Sequence, residues 1–132
     1  MLERVLVLGI LITLVFIFKK KFRTHRVSKK IYLPDNIQVK DFKSPTVLYF
    51  WTDDCVQCRT MQKPILENLE EDFGGFNLVD VNALKEKDLT SLFNIKTVPS
   101  TVIFSNDGTS KFINNGFVQR NELLKQLEEV RN

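Results

Sequence analysis

Histidine and cysteine are scarce in this 132-residue chain, which holds one of the first and two of the second. A tetrahedral zinc site needs four such donors, and the lone His25 lies far upstream of both cysteines in a basic segment. One chain alone therefore supplies half a site at most, and only a site shared between two chains stays open. The five glycines form no phosphate-binding loop, and there is no nucleophilic serine motif, no pair of catalytic carboxylates and no internal repeat. An excess of positive charge is also missing from most of the chain. Of 19 Lys and Arg and 16 Asp and Glu, the first thirty residues hold eight and one, which leaves eleven basic and fifteen acidic side chains for the remainder. The net +3 thus hides an acidic body. That argues against a basic domain surface and against nucleic acid as a partner.

Both cysteines stand together, in Trp51-Thr52-Asp53-Asp54-Cys55-Val56-Gln57-Cys58. The run from Thr46 to Trp51 is β-branched and aromatic, as in a buried parallel strand. Met61, Ile65, Leu66, Leu69 and Phe73 then recur at three- and four-residue steps, which predicts a helix with these side chains inward, stopping at Gly74-Gly75. Cys55 falls at the strand-to-helix junction, where free N–H groups and the helix dipole favour a thiolate. Cys58, one turn later, is within reach of a mixed disulfide on Cys55, a geometry for dithiol–disulfide exchange. A structural disulfide closing so small a loop would constrain the unfolded chain very little.

The remainder supplies a framework. Residues 76–81 read as a second central strand and residues 85–93 as a short helix with Leu89, Leu92 and Phe93 inward. Residues 94–99 form a loop, and the segments 100–104 and 110–113 flank Asn106-Asp107-Gly108 as a hairpin. Beyond Gly116, the residues Leu123, Leu124, Leu127 and Val130 mark a last amphipathic helix. Strands alternating with helices and closing on a hairpin call for one mixed sheet with helices on both faces, an α/β fold.

From about residue 37 to the C-terminus, this order resembles the thioredoxin family. Trp51 lies four residues before the first cysteine, Cys55-Val56-Gln57-Cys58 opens a helix containing Pro64, Val98-Pro99 precedes a strand, and Gly116 precedes the last helix. The resemblance implies a thioredoxin-like mixed sheet flanked by helices. It also implies Cys55 as attacking nucleophile, Cys58 as resolving cysteine, and Trp51, Val98 and Pro99 as supporting and substrate-binding residues, with a cis Val98–Pro99 peptide. Taken alone, Pro99 also suits a strand start at a sheet edge, and Trp51 the core. No cofactor and no metal is implied. The partners are protein disulfides or dithiols and a separate redox protein that resets the pair.

Several positions depart from the family pattern. Val56 and Gln57 replace the usual glycine and proline, and Asp54 a second tryptophan. The Asp54 carboxylate opposes a thiolate on Cys55 while Arg59 favours it. Tyr49 and Leu78 stand where a buried acid and lysine are common, and Asp80 reads as a solvated strand end. Pro64 comes one residue late, so the helix is expected to start with an extra residue. Between a first strand at residues 36–39 and Thr46 the family's first helix does not fit, so a trimmed domain lacking it is expected.

At the other end, residues 5–18 are apolar without interruption, about 21 Å of helix at 1.5 Å per residue. A buried core helix is disfavoured by apolarity on every side, and a cleaved signal peptide by the basic block that replaces a small-residue cleavage site. The expectation is a transmembrane anchor over residues 1–20, a basic juxtamembrane tether over 21–35 in contact with membrane lipid, and the domain over 36–132. Seven of the eight early positive charges follow the apolar run, so the positive-inside rule expects the domain in the cytoplasm, with the external side as alternative. The acidic cluster Glu67, Glu70, Glu71 and Asp72 reads as a solvated helix face. The functional expectation is a membrane-tethered thiol–disulfide oxidoreductase. The alternative is a thioredoxin-fold binding or scaffolding module with weak or no redox activity.

Overall fold

The computed structural model describes residues 1–26, 30–39, 41 and 43–132. In chain order its elements are α1 (Leu2–Arg23), β1 (Thr24–Arg26), β2 (Thr46–Trp51), a π turn (Cys58–Gln62), α2 (Lys63–Phe73), β3 (Asn77–Asn82), α3 (Lys87–Leu92), β4 (Ser100–Phe104), β5 (Ser110–Asn115) and α4 (Arg120–Arg131). The sheet runs in the order β1-β5-β4-β2-β3. It is mixed: β2 and β3 are parallel, and the other pairs antiparallel.

Alternation along the strands divides the core in two, because successive side chains of a strand point to opposite faces. Val47 and Tyr49 of β2 join Leu66 and Leu69 of α2 and Leu123, Leu127 and Val130 of α4 on one face. Leu48 and Phe50 join Leu89 of α3 and Phe93 on the other. The hairpin turn is closed by Asp107, whose carboxylate accepts from the Thr109 N–H at 3.0 Å, the Thr109 hydroxyl at 2.6 Å and the Ser105 hydroxyl. These hydrogen bonds hold its carboxyl well below the usual carboxylate range.

Several expectations are corrected. Residues 36–39 form no strand; the edge of the sheet is taken instead by β1, within the segment expected to be a tether. Arg26 fastens this strand to the domain by an ion pair with Glu129 at 2.6 Å and by stacking over Phe112. Helix α1 therefore runs directly into the domain's sheet. Residues 27–29 of the expected tether lie outside the described residues. Leu92 is exposed rather than inward, since α3 is under two turns long and Leu89 and Phe93 fill its core side.

The expected transmembrane anchor is corrected as well. A helix forms, but among the described residues no helix is long and apolar enough to cross a membrane. The reason is length: the apolar stretch is about 21 Å against a hydrocarbon core of about 30 Å, and Glu3, Arg4 and Lys19 bracket it closely.

Candidate redox site

The site begins where β2 ends. Trp51 is its last residue, and a turn closed by the Cys55 N–H on the Thr52 carbonyl at 3.2 Å brings the chain to the helix. Cys55 and Cys58 are joined as a disulfide, with Cα atoms 5.3 Å apart. Their surroundings differ. Cys55 is half-buried, whereas Cys58 is 1 % exposed and belongs to the core. The Cys58 N–H donates to Cys55 Sγ at 3.2 Å. A helix N-terminus thus presents a donor to Cys55, the arrangement that stabilises negative charge on sulfur. Arg59 turns its guanidinium to the Asp53 carbonyl, and Asp54 accepts from the Thr52 hydroxyl at 2.9 Å. Both charged neighbours of the dithiol therefore have partners of their own.

The Val98–Pro99 peptide is cis, with Pro99 buried and Val98 half-buried. Trp51, Cys55 and Val98 all pack against the core cluster that contains Cys58. The structure thereby gathers four of the five expected site residues on one cluster, with Pro99 next in sequence to Val98. The buried indole N–H of Trp51 has no acceptor among the described residues, so packing holds the ring.

Beneath the resolving position the polar groups are unusual. Tyr49 is paired across the strands with Asp80, while Leu78 is paired with Val47, so Asp80 and not Leu78 is the partner of Tyr49. The Tyr49 hydroxyl donates to the Cys58 carbonyl at 3.1 Å. Burial first, then the charges of Asp80 and Glu67, push its phenol up to about 12. Asp80 is no free strand end: it pairs with Lys63 of α2, whose ammonium also lies 5.8 Å from the Tyr49 ring centroid. In the acidic cluster, Asp72 pairs with Arg120 at 2.8 Å and Glu67 with Lys63 at 3.8 Å.

The late proline has a structural counterpart. The extra residue is not at the helix start but inside it, where the Lys63 N–H donates to the Cys58 carbonyl across five residues rather than four. Pro64 follows at the second position of α2, where its missing N–H costs little. The side chains pointing inward are Cys58, Gln62, Leu66 and Leu69. Met61, expected inward, is exposed. Gln62 was not among the expected site or core residues, although its spacing of four from both Cys58 and Leu66 was the available signal.

A parallel strand pair, an antiparallel hairpin and a dithiol at the start of a helix define a class of thiol-exchange domain. A family model described as Thioredoxin matches residues 34–129. The chain belongs to the thioredoxin family. It is 29 % identical to a thioredoxin of Mycoplasmoides gallisepticum over 69 % of this chain and 89 % of that one. It is 26 % identical to a thioredoxin of Rickettsia felis over 66 % and 82 %. Among solved structures, thioredoxin-2, described as a component of the malaria parasite's protein secretion machinery, superposes with a TM-score of 0.60 at 23 % identity, over 79 % of this chain and 99 % of that one. This last likeness is one of fold.

Proposed function

We propose that this protein exchanges disulfides with protein substrates through Cys55 and Cys58. The observation that carries the reading is the asymmetry of the pair: Cys55 is half-buried and receives an N–H donor on its sulfur, while Cys58 is buried beside it. The Cys55 thiolate attacks a substrate disulfide and releases one substrate thiolate. Cys58 then attacks Cys55 Sγ, releasing the second and leaving the Cys55–Cys58 disulfide. A separate redox protein returns the pair to its starting state. The half-buried Trp51 and Val98 form the surface against which the substrate segment lies, and the buried Pro99 holds Val98 in place.

An insulin-type reduction assay on the full chain, with a chemical and an enzymatic electron donor, tests this. The wild type is expected to precipitate insulin and Cys55→Ser to be inactive. Equal inactivity of both would favour the scaffolding alternative.

We further propose that α1 attaches the domain to a membrane, with the domain on the cytoplasmic side. Support comes from the large apolar residues between positions 5 and 18, all of them more than half exposed, and from the basic block that follows them, which suits the anionic lipid of a cytoplasmic leaflet. Labelling of the reduced cysteines by a membrane-impermeant maleimide in intact cells would place the domain outside and overturn the cytoplasmic assignment.

A further inference from the structure

Gln62 is completely buried, although glutamine is among the residues least often found inside. Both ends of its amide are used on one residue. Gln62 Nε2 donates to the Val118 carbonyl at 3.2 Å, and its Oε1 accepts from the Val118 N–H at 2.9 Å. Val118, itself buried, lies between β5 and α4, and shares the core cluster of Cys58. The clasp therefore ties the helix of the dithiol to a backbone segment 56 residues away.

Its position in the helix gives it consequence. Gln62 is the last residue of the π turn that begins at Cys58. An added residue in a helix offsets everything before it by about 1.5 Å and 100° relative to everything after it. Where the added residue is accommodated thus decides where Cys58 sits relative to α2. The turn is held at its beginning by the Tyr49 hydroxyl on the Cys58 carbonyl and at its end by the Gln62 clasp.

We propose that Gln62 is a positioning residue for the resolving cysteine, holding the π turn in the register that keeps Cys58 within reach of Cys55. This rests on the dithiol-exchange reading above. Without the clasp the turn has competing registers, and Cys58 spends less time where it displaces a partner from Cys55.

The test is equilibration of the full chain with reduced and oxidised glutathione, read by mass spectrometry. Oxidised glutathione is attacked by the Cys55 thiolate, giving a Cys55–glutathione mixed disulfide and one glutathione thiolate. Attack by Cys58 on Cys55 Sγ then releases the second glutathione thiolate. Gln62→Met keeps length and burial but removes both bonds. It is expected to accumulate the mixed disulfide and to lower the equilibrium constant for the Cys55–Cys58 disulfide about tenfold, which is about 30 mV toward a more oxidising couple. Gln62→Leu, an apolar replacement of different shape that also removes both bonds, is expected to behave as Gln62→Met does. In the wild type, the Val118 amide is expected to exchange slowly with deuterium in both redox states.

A folded Gln62→Met with wild-type equilibrium and no mixed disulfide overturns the proposal. If that variant does not fold, a wild-type result from a folded Gln62→Leu, or fast exchange at Val118 in the wild type, overturns it equally. A wild type that forms no Cys55–Cys58 disulfide in any glutathione ratio overturns instead the exchange reading itself.

Discussion

Single side chains carry much of what distinguishes this site. The Tyr49 hydroxyl satisfies the Cys58 carbonyl in the core, and Tyr49→Phe is expected to cost about 1 kcal/mol in urea unfolding, the ordinary net worth of such a bond. Because its folded phenol ionises near 12 and the unfolded one near 10, the unfolded state releases its proton first as the solution becomes alkaline. Stability should therefore fall between pH 10 and pH 12, less steeply in Tyr49→Phe than in the wild type. Asp107 has the opposite sign. Its carboxyl is lowered from 3.8 by the Ser105 and Thr109 bonds, so its contribution is present above pH 3.8 and is lost as acid protonates the folded form. Thermal melts between pH 5 and pH 2 should show a smaller loss for Asp107→Asn than for the wild type.

At the scale of elements, polar clasps supplement the apolar packing of α2 and α4. Gln126 of α4 is buried and exchanges two amide bonds with Asn114 of β5, at 2.8 and 2.9 Å. Replacing Gln126 by Leu withdraws both while Asn114 keeps its bond to the Thr101 hydroxyl at 3.0 Å, and about 1–3 kcal/mol of destabilisation is expected from the two bonds lost in the core. Leu127→Ala, one residue on, empties a fully buried position and should cost about 2–5 kcal/mol. Urea midpoints at constant slope check both. Strand β1 is the element that no periodicity revealed. Its three residues, Thr24, His25 and Arg26, are too few to carry an alternation, and the strand exists because the open edge of β5 pairs with it.

For the whole molecule, the unusual feature is a helix whose large apolar residues between positions 5 and 18 are more than half exposed, joined without an intervening loop to a sheet strand. Removing residues 2–18 leaves β1, its pairing with β5 and the Arg26–Glu129 ion pair in place. The shortened chain is expected to stay at the bottom of a density gradient with anionic vesicles while the full chain floats with them. Flotation of neither would remove the membrane from the functional reading. Since β1 belongs to the domain, attachment through α1 brings the domain close to the attached surface.

The sequence by itself determined the dithiol, its place between β2 and a helix, the order of the central elements and the acidic body of the chain. These are legible because apolar period and motif spacing are properties of a single line of residues. Only the tertiary structure decided that Gln62 is inside and Met61 outside, that Tyr49 faces Asp80, and that β1 closes the sheet edge. A buried amide looks like a surface residue until its partner is known, and here that partner stands 56 residues further on. Strand register and edge pairing likewise depend on bonds between distant segments, which local pattern does not encode.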